Sequence, residues 1–122
     1  MKRVLVVDDD RTTTLLLKRV IERTGRYEVR EENFGEQAVA AAREFMPDLI
    51  FLDVMMPNLD GSEVAGQLKD NPITSRIPVV FLTSIVTEED VANSEGIIAG
   101  SRFIAKPVDA AQVVECLDEL LR

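Results

Sequence analysis

The chain has 122 residues, 46% hydrophobic and 30% charged, enough for one core over residues 1–122 and too few for a second. Fourteen Lys and Arg against twenty-two Asp and Glu give a formal charge of -8, the wrong sign for tracking nucleic-acid phosphates or an anionic membrane surface. Histidine is absent, which excludes imidazole bases, Ser-His-Asp and Cys-His pairs, histidine-ligated metals and a phosphohistidine on this chain.

Val4-Leu5-Val6-Val7 is an unbroken apolar run, the pattern of a strand buried on both faces, and Asp8, Asp9 and Asp10 follow it directly. Leu16, Leu17, Val20 and Ile21 recur at three-and-four spacing and predict a one-sided helix that Gly25 ends. Tyr27-Val29-Glu31 alternates with Glu28-Arg30-Glu32, which suits a strand at a sheet edge. Ala38, Val39, Ala42 and Phe45 predict a second helix, closed by Pro47. Leu49-Ile50-Phe51-Leu52 is the next buried strand and delivers Asp53; Asn58-Leu59-Asp60-Gly61 is a loop, and Val64 and Leu68 mark a third helix.

Pro78-Val79-Val80-Phe81-Leu82 is the third buried run and ends in Thr83 and Ser84. A fourth helix is expected before the short strand Phe103-Ile104-Ala105, a second edge that leads to Lys106. Asp109 caps a last helix through Val113, Leu117, Leu120 and Leu121, on which Cys116 reads as a packed thiol. One cysteine forms no internal disulfide, no leader is recognised, and the apolar runs are too short to span a bilayer, so a reducing, cytoplasmic setting is expected.

Strands near residues 4, 27, 49, 78 and 103 with a helix in each gap make five successive β-α units. The expectation is an α/β fold: a five-stranded parallel sheet, order 2-1-3-4-5, with helices on both faces and a ligand crevice at the carboxyl ends of strands 1 and 3. Asp8, Asp9, Asp53, Thr83 and Lys106 all follow strands and so converge on one sheet edge. Carboxylates about 5 Å apart repel by roughly 3 kcal/mol per pair at an effective dielectric near 20, so they call for a cation. An all-oxygen site favours a hard ion, and Mg2+ leaves room for a phosphoryl oxygen.

Val7-Asp8-Asp9, Leu52-Asp53-Val54-Met55-Met56-Pro57-Asn58-Leu59-Asp60-Gly61, Leu82-Thr83-Ser84 and Lys106-Pro107, in this order and spacing, resemble the receiver domain of two-component response regulators over essentially the whole chain. The resemblance extends to short chemotaxis-type regulators and to receivers of longer ones, and implies a flavodoxin-like, doubly wound fold. It also implies that Asp53 accepts a phosphoryl group from a histidine kinase or phosphotransfer protein. Asp8, Asp9, Asp53 and the Met55 backbone carbonyl are the implied Mg2+ ligands, Thr83 and Lys106 the groups that meet phosphoryl oxygens, and Pro107 a proline after a cis peptide that aims the lysine. Thr83 and Phe103 are the implied switch, repacking the face of helix 4, strand 5 and helix 5 to control a downstream target, a fused effector domain or a second copy of the chain.

The resemblance further makes Met55 and Ile85 the neighbours of the hydrolytic water, and both being apolar implies a long-lived phosphoryl group. Gly100, three residues before Phe103, and Arg102 depart from the family pattern, at the boundary between the fourth helix and the fifth strand. Asp10 and Asp60 read as helix or turn caps. Two alternatives fit the same residues. One is a receiver-like interaction module that works without phosphorylation; the other is a Mg2+-dependent aspartyl phosphohydrolase, disfavoured because Met55 replaces the second acid and no substrate cap is inserted. The expected role is therefore a phosphoacceptor signalling domain and not a turnover enzyme.

Overall fold

In the computed structural model, which describes residues 1–57, 59–84, 97–98 and 101–121, each unbroken apolar run is a strand of one sheet. The strands are β1 (Lys2–Val7), β2 (Tyr27–Glu32), β3 (Leu49–Asp53), β4 (Val79–Thr83) and β5 (Ser101–Ala105). They pair in parallel in the order β2-β1-β3-β4-β5, the expected 2-1-3-4-5, and Ile97–Ile98 adds a two-residue antiparallel strand outside β5. The fifth strand is thus two residues longer than its apolar run and is not the outermost backbone. Asn58, Ile85 and the expected fourth helix lie outside the described residues.

The three central strands read as continuous apolar runs because both sheet faces are covered. Val4, Val6, Phe51, Val80 and Leu82 point to one face and pack on α1 (Arg11–Arg23) and the C-terminal helix (Ala110–Leu120). Leu5, Val7, Ile50 and Leu52 point to the other and pack on α2 (Ala38–Phe45) and α3 (Gly61–Asp70). Two half-cores share one sheet, so moving a strand by one residue would exchange its two faces.

Helix starts follow the caps. Asp10, Asp60 and Asp109 accept backbone N–H bonds from Thr12, Ser62 and Ala111 at the heads of α1, α3 and the C-terminal helix. Behind α1, Gly25 takes φ 77 and donates its N–H to the Glu22 carbonyl. Helix α2 closes on Met46, at φ 53, immediately before Pro47. The inward stripe of α1 differs from expectation. Leu16 is 43% exposed, and the buried positions are Thr14, Leu17 and Ile21, with Val20 at the core margin. Spacing of three and four fits both stripes, and a buried threonine is invisible to a count of apolar residues.

The loop from β3 to α3 is built on a close approach. Val54 and Gly61 are joined by an N–H bond from Gly61 to the Val54 carbonyl, and a two-residue ribbon pairs Met55–Met56 with Leu59–Asp60. A Cβ on Gly61 would stand 2.3 Å from the Asp53 carbonyl oxygen and 2.8 Å from the Val54 Cα. Both are backbone and cannot step aside cheaply. Gly61→Ala is accordingly expected to destabilise the fold by about 2–3 kcal/mol in urea titrations. Gly66→Ala, mid-helix with nothing near its added methyl, should instead gain about 0.5–1 kcal/mol; equal effects of the two would refute the packing account.

Candidate functional site

Sheet register brings the polar residues together. Val7 faces Leu52 across β1 and β3, so the next residues, Asp8 and Asp53, lie abreast on adjacent strands about 4.8 Å apart in the pairing direction. Asp53 pairs with Leu82 and Thr83 with Ala105, which sets Thr83 and Lys106 at successive steps along the same edge. Residues separated by 98 positions thereby touch: the Lys106 ammonium donates to Asp8 Oδ2 at 2.8 Å and stands 3.8 Å from Asp53 Oδ2. The Lys106–Pro107 peptide is cis.

Asp8, Asp53 and Thr83 are buried, while Asp9 is exposed at the rim. One carboxylate oxygen from each of Asp8, Asp9 and Asp53 fits within 4.8 Å of the other two. Every polar group of Asp8 is engaged. Its N–H donates to the Glu32 carbonyl, Oδ1 accepts from the Asp10 N–H, Oδ2 accepts from Lys106, and its carbonyl accepts from the Asn33 side-chain amide. Asp53 Oδ1 accepts a longer bond from the Met55 N–H at 3.3 Å, and its carboxyl shares a side-chain hydrogen bond with Asp8. Asp10, which belongs to the helix cap, is exposed, and the Thr13 hydroxyl and Thr12 N–H hold its carboxyl below the usual range.

Among the described residues, one ammonium faces three carboxylates. Burial first, and then the charge of Asp8, push the Asp53 carboxyl up to about 7 despite the attraction of Lys106. Burial pulls Lys106 down, but its hydrogen bond and charge interaction with Asp8 outweigh this and hold it above its ordinary value. A buried acid that resists ionising beside a second acid is the electrostatic signature of a site short of positive charge. The donors are hard oxygens at close spacing, so the chemistry of the set fits a divalent ion such as Mg2+.

The remaining expected residues are placed as follows. Met55 is 60% exposed on the loop beside Asp53, and its presumed companion Ile85 lies outside the described residues. Phe103 is half-buried on β5 with its ring stacked on Phe81, centroids 5.2 Å apart. Arg102 reaches the C-terminal helix and pairs with Glu119. Cys116 is buried, and burial pushes its thiol up, as befits a packed side chain. Asn33, which holds the Asp8 carbonyl, was not among the expected residues; a lone amide directly after an edge strand was the signal available.

The chain is similar throughout its length to known proteins. The family model described as the response regulator receiver domain matches residues 4–118. Protein PilH of Pseudomonas aeruginosa is 34% identical over 122 residues, covering 99% of this chain and 98% of PilH. Response regulator PleD of Caulobacter vibrioides is 39% identical over 98% of this chain, which spans only 26% of PleD. A crystal structure of a putative response regulator from Chloroflexus aurantiacus superposes with a TM-score of 0.81 at 30% identity, covering 98% of this chain and 97% of the other.

The charge imbalance predicts a pH dependence. In metal-free protein, folded Asp53 keeps its proton to about pH 7, whereas an unfolded aspartate loses it near pH 4. The folded state therefore holds more protons across that window, and stability falls as pH rises through it. Asp53→Asn is expected to be more stable than wild type in EDTA at pH 8, with the advantage narrowing toward pH 4. Urea unfolding at both pH values checks this, and an advantage independent of pH would contradict it.

Proposed function

The chain belongs to the response regulator receiver family, the phosphorylation switches of two-component systems, and from that premise we propose that Asp53 is its phosphoacceptor. The observation that supports this reading above others is the pairing of a buried Asp53 with Asp8, Asp9 and Lys106 at one sheet edge. In the proposed step an Asp53 carboxylate oxygen attacks phosphorus in line. The O–P bond forms as the N–P bond of a phosphohistidine on the donor breaks, and the imidazole nitrogen leaves with the electron pair.

Asp8, Asp9, Asp53 and the Met55 backbone carbonyl would hold Mg2+, which supplies positive charge against the phosphoryl oxygens. Lys106 adds its ammonium and Thr83 its hydroxyl at the same edge. Asp8 keeps the ammonium next to Asp53 through its 2.8 Å bond, so Lys106 is already turned inward before a phosphoryl group arrives. The aspartate must be ionised to attack, and positive charge brought to the site draws its proton off at neutral pH. The chemistry modifies the chain itself, which fits a signalling domain. Partners of such domains are histidine kinases upstream and effectors downstream.

Incubation with phosphoramidate or acetyl phosphate tests the assignment by intact mass. A single phosphoryl adduct is expected that requires both Mg2+ and Asp53 and is absent from Asp53→Asn. No adduct on folded, Mg2+-supplied protein would refute it and favour phosphorylation-independent binding.

The output side of the proposal runs through Thr83 and Phe103. Thr83 ends β4 one residue beyond the register partner of Asp53, and Phe103 stacks on Phe81 of the same strand. A Phe103 ring carries no hydroxyl, so turning it further inward leaves no unsatisfied donor. Phosphorylation is expected to change the ring contacts of Phe103 with Phe81 in aromatic NMR spectra, and Thr83→Ala to suppress that change; identical spectra before and after modification would remove Phe103 from the switch.

A further inference from the structure

We propose that Asn33 is a positioning residue for the acidic pair. Its side-chain amide fixes the peptide plane between Asp8 and Asp9, and so the direction in which Asp9 projects. The inference rests on the reading of Asp9 as a cation ligand. Asn33 lies one residue beyond β2 and is half-buried. Its Nδ2 donates to the Asp8 carbonyl at 2.8 Å and to Thr14 Oγ1 at 3.0 Å. These bonds cross three elements: the end of β2, the loop after β1 and the first turns of α1.

The chemistry of the partners fixes the orientation of the amide. A carbonyl oxygen only accepts, and the Thr14 hydroxyl spends its own hydrogen on the Arg11 carbonyl at 3.2 Å. Both positions around Asn33 therefore need a donor, and only the NH2 end of the amide offers two. Aspartate at position 33 would set acceptor against acceptor and add a charge to an edge already rich in them. Thr14 is fully buried, so the second bond anchors the amide to the interior.

The target of the first bond is what gives the contact a functional meaning. The carboxylate of Asp8 is already immobilised by the Asp10 N–H and Lys106. The Asp9 side chain, exposed at the rim, has no hydrogen bond among the described residues. Its placement depends on the backbone that carries it, and the Asp8 carbonyl belongs to the same peptide unit as the Asp9 N–H. Holding that oxygen restricts rotation of the unit. Outer partners of this kind orient ligands, and their loss typically weakens metal affinity by 10–100-fold.

Calorimetric titration of Mg2+ alone into the metal-free chain tests the proposal. Wild type is expected to bind one ion and Asn33→Ala to bind it about tenfold more weakly. Thr14→Val, which removes the interior anchor, should weaken binding several-fold in the wild-type background and add nothing in the Asn33→Ala background. Val29→Ala, a buried truncation on β2 away from the site, should lower the urea midpoint yet leave Mg2+ affinity unchanged. Wild-type affinity in folded Asn33→Ala overturns the proposal, as does an equal loss in Val29→Ala, which would reduce the effect to stability. Should Asn33→Ala fail to fold, unchanged affinity in Thr14→Val overturns it. Absence of Mg2+ binding by wild type itself would instead defeat the reading of the cation site on which the inference stands.

Discussion

The arrangement turns on a repulsion. Sheet register sets Asp8 and Asp53 abreast at the ends of adjacent strands, both buried, with Asp9 close by and, among the described residues, a single ammonium to offset them. Isolated carboxylates would not settle there, because each resists losing water and each disfavours the other's charge. What holds them is the backbone. Two half-cores grip the sheet from opposite faces, and the strands end in the loops that carry the acids. The tension is visible in Asp53, whose carboxyl is pushed up to about 7, and in Lys106, which is drawn into contact with Asp8. A site of this kind gains stability from added positive charge, and the family's phosphorylation chemistry requires such charge at the same place.

Much of the fold was legible because burial on both faces leaves an unambiguous mark. Val4 to Val7, Leu49 to Leu52 and Val79 to Leu82 are unbroken apolar runs, and the two weaker strands fall toward the sheet edges as their composition suggests. The convergence of Asp8, Asp53, Thr83 and Lys106 follows from the same fact, since parallel strands open on one edge. Where the reading failed, the missing information was phase or pairing. Leu16 fits a helical stripe as well as Leu17 does, and the observed stripe includes buried Thr14, whose hydroxyl meets an amide 19 positions away. Asn33 is hidden for the same reason, because its role exists only once the end of β2 meets the loop after β1. The Ile97–Ile98 strand beside β5 is equally a tertiary matter, two apolar residues being too few to announce a strand.

The three acids differ in how they are held, and the difference matches the work proposed for each. Asp8 spends its N–H, its carbonyl and both carboxylate oxygens on four partners, so it can hold Lys106 and face a cation but has little freedom to attack. Asp53 accepts one backbone N–H at 3.3 Å and shares a side-chain hydrogen bond with Asp8, while the ammonium stands off at 3.8 Å. Its contacts to the backbone N–H and the ammonium are longer than those on Asp8, which suits the proposed nucleophile, since each strong hydrogen bond lowers the availability of a lone pair. Asp9 stands exposed at the rim, its side chain without a hydrogen bond among the described residues, which suits the proposed role of a cation ligand carried by the peptide that Asn33 holds.

That gradient sets the most heavily bonded groups beside the proposed nucleophile and not on it. A carboxylate that must form a new bond has to be positioned without being saturated, and the structure achieves this by fixing its neighbours. Gly61 lets α3 start against the Asp53 carbonyl, so the strand end is clamped through its backbone. Asp8, locked on all sides, carries Lys106; Asn33, anchored on buried Thr14, carries the peptide that leads to Asp9. The hydrogen bonds thus fall on the neighbours of the proposed nucleophile and cation ligand. A phosphoryl group on Asp53 would meet an edge short of positive charge, where added charge of either sign bears first on Lys106, the ammonium that stands between Asp8 and Asp53.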